Sequence, residues 1–543
     1  MKKQNRKIVM AVCMIFIALL IPVYWIGIYA HPCVDDYFYG TDTVKVWNFT
    51  HSLIETCKMS LENTKEVYRN WQGNFSGIFL MGLQPGIFGE KYYVWTTIII
   101  VTTFVAAHLF FYYQMMLKLL NKNKIIISIL SMILTMTALQ FTYMPSDAFY
   151  WYNGSIYYTF FYSLSLILFG TLLWKQEQGS ISSSIVTIIA GMLAFSIGGS
   201  NYSTALVSVI VLFFVITYLV IDFIRQRTQK EDEQKEETIE ENRQDARAAK
   251  RREVRNIIEN SMIFLALFSG FLISVLAPGN AIRQESVGGS NSIIKSILLS
   301  FCYGAYNIAT ATTLPVVCMW LIMLPMLWKI IPQKREGQKD SGTRRMKMMC
   351  GKIGLLFCIF SAQSTPVIYA QGIRIPYRLM NVIYFSYYTF GLLVWIIVLT
   401  ELKQSKMRKD FLNYFEKKER EKRRKCSRYY YTAVMVALLI ALVGNIKITE
   451  SENEKGKAEI EGLPITAEAM LSLVSGEAKG YSREADLRVA SYEDETIKKV
   501  IVPAFRHKPK LLFHTDITTD RKHWKNKHVS KYYNKQYVVL EKE

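Results

Sequence analysis

Long apolar runs alternate along this chain with short polar segments that are rich in Lys and Arg. Eleven of the runs have the length expected of transmembrane segments, which is roughly 17 to 25 residues. Since lipid cannot satisfy exposed backbone N–H and C=O groups, each run is predicted to be a helix. The predicted spans are 8–30, 92–117, 125–141, 156–174, 182–197, 205–224, 257–276, 313–331, 353–370, 382–400 and 430–446.

Two further features of the apolar pattern need their own interpretation. The first run follows four Lys and Arg residues and is longer than the apolar core of a usual signal peptide. Ile28 would stand three residues before a cut after Ala30, and it is not small, so we interpret the run as an uncleaved signal anchor. The run 293–309 breaks the charge pattern if it is counted as a full span. It is therefore predicted to be a re-entrant or interfacial helix on the outer side.

The distribution of positive charge predicts the topology. With the N-terminus inside, the inner segments hold 38 of the 65 Lys and Arg residues and the outer loops hold 9. This favours a cytoplasmic N-terminus and an extracytoplasmic C-terminus in the cell membrane. The net charge of +21 is thus partly a topology signal that suits an anionic inner leaflet. Nucleic-acid binding is the weaker interpretation, because no nucleic-acid-binding fold is recognisable.

Two soluble parts interrupt or follow the spans. Segment 225–256 mixes opposite charges at helical spacing, which predicts a solvated cytoplasmic helix that extends a span. Residues 448–543 are predicted to form a small α/β domain outside the membrane, after a transmembrane domain at 1–447. Its predicted elements are a helix at 467–474, strands at 500–503, 510–513 and 537–540, and a helix around Trp524. The predicted fold class is an all-α polytopic membrane protein with this added domain.

Cysteine usage gives little sign of a metal site. The eight cysteines form no CxxC pair, so a metal cluster is not expected. Cys33 and Cys57 share the first outer loop, 31–91, where either a disulfide or two free thiols would fit.

Candidate chemistry begins with a carboxylate doublet directly after the first span. Asp35 and Asp36 lie at the predicted membrane surface, where desolvation would raise the pKa of one carboxylate and suit it to act as a general base. The alternative is that one of them caps the helix that follows. On the doublet alone, the cap is favoured.

Other outer loops combine aromatic and amide residues with an occasional carboxylate. Such mixtures suit a sugar, because ring faces cover its C–H patches while amides bond its hydroxyls. An interfacial aromatic belt is the competing explanation. The candidate sugar-binding residues are Trp71, Gln72, Asn74, Asp147, Tyr152, Asn153, Asn201 and Asn280.

Three arginines stand near span ends in outer loops that are otherwise poor in positive charge. They are Arg283, Arg374 and Arg378. Arginine binds phosphate through paired, charge-assisted hydrogen bonds, and a lipid-linked phosphate would lie at this depth. Snorkelling to headgroups explains any single one of them equally well. Their presence on the same predicted side as the carboxylates and sugar-type loops favours a phosphate site.

Taken together, these segments resemble the GT-C class of membrane glycosyltransferases. They are similar in more detail to a bacterial family of multi-spanning, glucosyltransferase-like proteins whose members are uncharacterised. The segments that carry the resemblance are Asp35-Asp36-Tyr37, Trp71-Gln72-Gly73-Asn74-Phe75, Tyr150-Trp151 with Asn153-Gly154, Ala277-Pro278-Gly279-Asn280 with Arg283, and Trp524 through Tyr533. The resemblance implies an acidic residue of the first outer loop as base or metal ligand, matched here by Asp35 and Asp36, and a polyprenyl-phosphate sugar as donor. Asn201 stands where a second acid would be more convincing, so no cofactor is expected and metal dependence is not supported.

The leading hypothesis is a glycosyltransferase that moves a sugar from a polyprenyl phosphate to a cell-envelope glycan or lipid on the outer face. Asp35 or Asp36 would be the base, and the three arginines would hold the phosphate. A flippase or exporter of a lipid-linked saccharide would need the same contacts without catalysis, but should show a repeat relating two halves of the chain, and none is evident. A polysaccharide polymerase or ligase would have its large outer loop late among the spans, whereas the large outer parts of this chain are the first loop and the tail.

Overall fold

The computed structural model describes most of the chain as helix. The described residues are 2–175, 180–233, 240–288, 291–332, 342–372, 375–404, 429–430, 432–433, 435–437, 450–452, 458–460 and 463–542. Eight helices within these ranges are long and apolar enough to cross a membrane. The apolar helices support a membrane protein with several transmembrane segments.

Seventeen helices precede the C-terminal domain in the described ranges. They are α1 (Lys2–Ile26), α2 (Asp35–Thr50), α3 (Leu53–Asn70), α4 (Phe75–Met81), α5 (Trp95–Leu119), α6 (Lys124–Gln140), α7 (Tyr152–Ser155), α8 (Phe161–Lys175), α9 (Ser180–Gly198), α10 (Tyr202–Glu233), α11 (Glu240–Val275), α12 (Gly279–Val287), α13 (Ile293–Ala311), α14 (Leu314–Ile330), α15 (Gly342–Ala362), α16 (Thr365–Gln371) and α17 (Tyr377–Gln404).

Most predicted spans correspond to one of these helices. Seven coincide with helices long enough to cross a membrane, and three coincide with the shorter apolar helices α6, α9 and α14. The run 430–446 lies largely outside the described residues. The charged segment 225–256 is helical where it is described, because α10 continues to Glu233 and α11 begins at Glu240.

The run predicted to be re-entrant forms the continuous 19-residue helix α13. At its start, the Asn291 amide donates to the Tyr369 carbonyl (3.2 Å). At its end, the Thr312 hydroxyl lies 3.0 Å from that of Tyr387, well inside α17. Helix α14 then continues to Ile330, whose carbonyl accepts from Asn121 at the opposite end of the bundle. Together, α13 and α14 connect the two ends of the bundle, although α13 alone is long enough to span.

Aromatic side chains fill the core between α5, the segment after α6 and α17. Phe104, Phe149 and Phe385 are fully buried and meet ring to ring. His108 is buried among them and bonds the Phe104 carbonyl through Nδ1 (2.8 Å). His108 is therefore a hydrogen-bonded residue of the packed core between helices.

The C-terminal part has helices α18 (Ile465–Val474), α19 (Glu477–Glu493) and α20 (Trp524–Tyr532), and strands β1 (Glu450–Glu452), β2 (Ala458–Ile460), β3 (Lys499–Val502) and β4 (Tyr537–Leu540). β1 and β2 are antiparallel, whereas β3 and β4 are parallel. The predicted helix at 467–474 and the strands at 500–503 and 537–540 are present. The strand predicted at 510–513 is wrong: this segment is a turn in which the Leu512 and Phe513 amides bond the Pro509 carbonyl.

The C-terminal domain packs on the end of the bundle that carries α2. Tyr37 of α2 meets Tyr532 edge to face, with ring centroids 5.2 Å apart. His31 bonds Glu90 through Nδ1 (2.7 Å) and Ser482 of α19 through Nε2 (2.9 Å). This packing sets the C-terminal domain against the start of α2 and the loop before it.

Candidate functional site

The candidate site is built around the first turn of α2. The residue before this helix, Val34, has φ 46° and ψ −105°. Positive φ is unfavourable for a β-branched residue and costs about 1–3 kcal/mol, so the surrounding packing must hold it. The strained turn sets the direction in which the first two helical residues, Asp35 and Asp36, leave the backbone.

Asp36 is a fully buried connector rather than an accessible base. Its Oδ2 accepts from the Tyr93 hydroxyl (2.6 Å) and the Cys33 amide (3.0 Å), and its Oδ1 accepts from the Asn153 amide (3.1 Å). Burial raises the pKa of Asp36 to about 7, although these hydrogen bonds oppose the shift. The carboxylate ties three separate segments together.

Asp35 has a different environment. Its side chain is 29% exposed, and its Oδ2 lies 3.8 Å from Nη1 of Arg378 at the start of α17. The guanidinium of Arg378 also lies over the ring of Trp151, 4.8 Å from its centroid. The structure therefore brings the predicted base and one predicted phosphate ligand together, in a place that solvent reaches.

A second arginine, Arg283, is linked to the same region through Gln72 and Tyr39. Asp35 and Tyr39 are four residues apart and share one face of α2. The Gln72 amide donates to the Tyr39 hydroxyl (3.3 Å), and Arg283 donates to the Gln72 side-chain oxygen. Burial and the negative charge of Asp35 raise the pKa of Tyr39, whereas the positive charges of Arg283 and Arg378 lower it. The Tyr39 hydroxyl therefore senses charges of both signs.

An irregular helical segment supplies the third side of the site. Residues Ser146–Tyr150 and Ile156–Phe160 are π-helical and flank the short helix α7. Inserted π turns displace side chains from the regular helical positions and often occur at functional sites. They place Asp147 beside His514 of the C-terminal domain, with 2.8 Å between Oδ1 and Nδ1.

His514 also stacks on Trp151, the ring that Arg378 covers from 4.8 Å. The ring centroids of His514 and Trp151 are 4.1 Å apart, and the planes differ by 18°. The side chain of His514 is 25% exposed, whereas that of Asp147 is only 4% exposed. The C-terminal domain therefore contributes a side chain directly to the site.

Several residues predicted to bind sugar hold loops in place, and their sugar-binding role stays a prediction. Asn280 accepts from the Gly73 amide (3.0 Å) and donates to the Ser274 carbonyl (2.9 Å). Asn201 caps α10 by accepting from the Thr204 amide (2.9 Å). The same structural role belongs to Asn74, which donates to the Ser200 carbonyl (2.5 Å), and to Tyr152, which donates to that of Leu80 (2.9 Å).

Two buried polar groups near the site lack hydrogen-bond partners within the described part of the chain. One is the side-chain amide of Asn153, whose oxygen and nitrogen are both unpaired, and the other is the indole nitrogen of Trp151. An unpaired buried polar group is costly, so these atoms mark unused hydrogen-bonding capacity beside the cleft.

Trp71 lies at the edge of this region, 38% exposed, with Arg283 5.8 Å from its ring centroid. Arg374 lies outside the described residues. Of the two alternatives left open for Cys33 and Cys57, the structure has two free thiols.

A cavity of about 320 Å³ adjoins the arginine that contacts Gln72. It is lined by Tyr157, Tyr158, Tyr202 and Arg283, among others. A second cavity of about 350 Å³, lined mainly by apolar side chains, continues along α10. Ser203 lines both cavities, so the polar head of a bound molecule and an apolar chain could occupy adjoining spaces.

Sequence reasoning missed Tyr39, Trp151 and His514 as site residues. Tyr39 had a usable signal, since it is one helical turn after Asp35. His514 had none, because its position depends on how a domain distant in sequence packs. Among the described residues, no group of three or more His, Cys, Asp or Glu side chains is arranged to hold a metal ion.

Comparisons with known proteins assign no relative to this chain. No family model, no curated protein and no solved structure matches it. Its function is therefore argued from the site.

Proposed function

We propose that this chain is a membrane glycosyltransferase that uses a polyprenyl-phosphate sugar as donor. The proposal depends chiefly on the pairing of Asp35 with Arg378, 3.8 Å apart in a partly exposed cleft. A base and a cation that close to each other fit an acid–base reaction that releases an anion.

Asp35 takes the proton of an acceptor hydroxyl as the oxygen attacks the anomeric carbon. The bond from that carbon to the phosphate oxygen breaks, and polyprenyl phosphate leaves with the electron pair. Arg378 and Arg283 bind the phosphate and stabilise the charge that grows on it. Trp151 lies beside Arg378 at the site, and the buried amide of Asn153 next to it has unpaired hydrogen-bonding atoms.

The two adjoining cavities along α10 fit the donor's two chemical parts. Arg283 lines the cavity nearer the cleft, where a phosphate would lie. The apolar cavity that shares Ser203 with it would take the first part of the polyprenyl chain. The excess of Lys and Arg in the opposite segments favours the outer face of the membrane for this end of the bundle.

The test is sugar transfer by the purified full-length protein in phospholipid vesicles. With a radiolabelled hexosyl polyprenyl phosphate and a cell-envelope extract as acceptor, we expect labelled product and free polyprenyl phosphate in equal amounts. A nucleotide sugar should not replace the donor. Movement of the labelled lipid across the bilayer with no labelled product would instead show a flippase and overturn the enzymatic proposal.

A further inference from the structure

A large apolar groove lies on the other side of α12 from the donor cavity. Its volume is about 1010 Å³, and it runs between α3, α4, α8 and α9. Leu61, Phe79, Leu164 and Leu193 line it, with few polar atoms. Neither the proposed base nor either proposed phosphate ligand faces it.

The helix that borders the groove has the character of a membrane-surface helix. α3 carries exposed apolar side chains at Leu53 (57%), Ile54 (69%) and Leu61 (47%). Charged side chains, including Lys58 and Glu62, occupy its other faces. A helix of this kind lies in the interface between headgroups and acyl chains, so the groove beside it opens toward lipid.

The rim of the groove is positively charged. Lys65 and Arg69 both line it on α3. Lys65 pairs with Glu62 (2.7 Å), whereas Arg69 has no ion pair with a described carboxylate. Tyr68 fixes this part of the rim by donating to the Ile273 carbonyl (2.9 Å). An exposed arginine above an apolar groove suits an anionic lipid headgroup above its chains.

Between the groove and the donor cavity, the backbone at 71–73 packs closely against the backbone at 274–279. A Cβ added to Gly279 would lie 2.4 Å from the Trp71 nitrogen, and one added to Gly73 would lie 1.9 Å from the Ser274 oxygen. Only glycine permits so close an approach at these two positions. Pro278 lines the groove and Asn280 lines the cavity, so the two spaces are back to back.

The rim of the groove is linked to the cleft through neighbouring residues. Arg69 is three residues before Gln72, whose amide donates to the Tyr39 hydroxyl (3.3 Å), and Tyr39 is one helical turn after Asp35. A headgroup at Arg69 would therefore stand at the side of the groove from which this chain of contacts begins. A water-soluble acceptor would need no second apolar space so near the donor cavity.

We infer that this groove binds the chains of an anionic lipid, and that this lipid is the acceptor. Both substrates are then lipids that enter from the bilayer on opposite sides of α12. The acceptor role rests on the proposed glycosyltransferase function, whereas lipid binding in the groove can be measured without it.

The binding experiment uses the full-length protein in phosphatidylcholine vesicles. A phosphatidylglycerol probe with a diazirine on one acyl chain should label peptides from α4, α8 and α9 after illumination. Leu193→Trp narrows the groove and should lower labelling about tenfold. The matched control is Met192→Trp, because Met192 is on the same helix, is 61% exposed and does not line the groove; its labelling should be unchanged.

The charge of the rim is tested in the same assay. Arg69→Gln should lower labelling about threefold, in keeping with one exposed charge pair. The control is Lys58→Gln, which removes an exposed cation nearer the start of α3. Lys58 is already paired with Glu55 (2.8 Å). Equal labelling by a matching phosphatidylcholine probe would mean ordinary bilayer lipid and would overturn the inference. Displacement of the probe by excess polyprenyl phosphate would do so too, since the groove would then belong to the donor.

Transfer measurements separate this inference from the proposed function. Leu193→Trp should abolish transfer to a lipid acceptor. If it leaves transfer to a lipid acceptor at the wild-type rate, the enzyme proposal stands and the acceptor role of the groove is wrong. If no acceptor is ever glycosylated while the groove labels normally, the enzyme proposal fails, and the acceptor role fails with it.

Discussion

The surroundings of Asp36 and those of Asp35 form two chemically different regions, although the residues are adjacent. Asp36 is fully buried and accepts three hydrogen bonds, which use both of its oxygens. Asp35 is 29% exposed and faces one arginine across 3.8 Å. Consecutive helical positions point about 100° apart, so one side chain enters the core while the other lines the cleft.

The difference shows why a carboxylate doublet cannot be interpreted as a unit. Desolvation suits Asp36 to a structural role, because its donors fix three segments at once. Partial exposure suits Asp35 to chemistry, because an acceptor can approach it. We therefore propose Asp35, and not Asp36, as the base.

The largest effect is expected from Asp35→Asn. Removing a general base should lower sugar transfer roughly 10²–10⁴-fold. Because the side chain is partly exposed and the change is isosteric, the unfolding temperature should stay the same. Asp42→Asn, on an exposed face of the same helix, is the matched control. Undiminished transfer by Asp35→Asn would assign the chemistry to another residue.

A somewhat smaller loss is expected from Arg378→Gln. This change removes a cation from the departing phosphate and should lower transfer about 10²-fold. Arg521 lies over the ring of Tyr537 at 3.8 Å in the C-terminal domain. Arg521→Gln therefore removes a similar cation–π contact away from the cleft, and its transfer rate should match the wild type. An equal loss in both variants would contradict a specific role for Arg378.

Asp36→Asn should act on stability. The change replaces one carboxylate oxygen, which accepts a hydrogen bond, with an amide N–H that would face another donor. For a buried group this costs about 2 kcal/mol. The unfolding transition of the purified protein should shift to lower temperature, and the chain that remains folded should still transfer sugar. A variant as stable as Asp35→Asn would refute the structural role.

His514→Ala should loosen the C-terminal domain by about 1–2 kcal/mol, because it leaves the buried Asp147 carboxylate without its partner. Limited proteolysis of this domain should become faster. His507→Ala removes a similar contact to Glu484 (2.7 Å), where the histidine is 47% exposed. This control should change the proteolysis rate little, so equal rates in the two variants would contradict a docking role for His514.

A further predicted effect is a pH dependence of stability that comes from Asp36. Its folded pKa of about 7 exceeds its ordinary 3.8, so the folded state binds more protons between these values. Its contribution to stability is greatest in acid and falls as the pH rises through this window. The stability advantage of the wild type over Asp36→Asn should therefore shrink between about pH 5 and about pH 8. A constant difference in unfolding free energy would contradict the raised pKa.

The sequence predicted the helical architecture better than the site. Apolar runs are long and local, so their lengths and positions predicted most helices. The strand expected at 510–513 was wrong, because a short apolar run does not distinguish a strand from a turn held by Pro509. The sugar-binding role of Asn74, Asn201 and Asn280 stays a prediction; the structure shows that their amides hold the backbone of neighbouring loops.

The apolar helices could be located from the sequence alone, because burial in lipid or in the core requires runs of apolar residues that are consecutive in the chain. The sequence also determined that carboxylates, amides and arginines follow particular helix ends. Only the tertiary structure decided which of them meet: Asp35 with Arg378, Arg283 with Gln72, and Asp147 with His514. These partners are far apart along the chain, and the packing that brings them together depends on the shapes of all the helices between them.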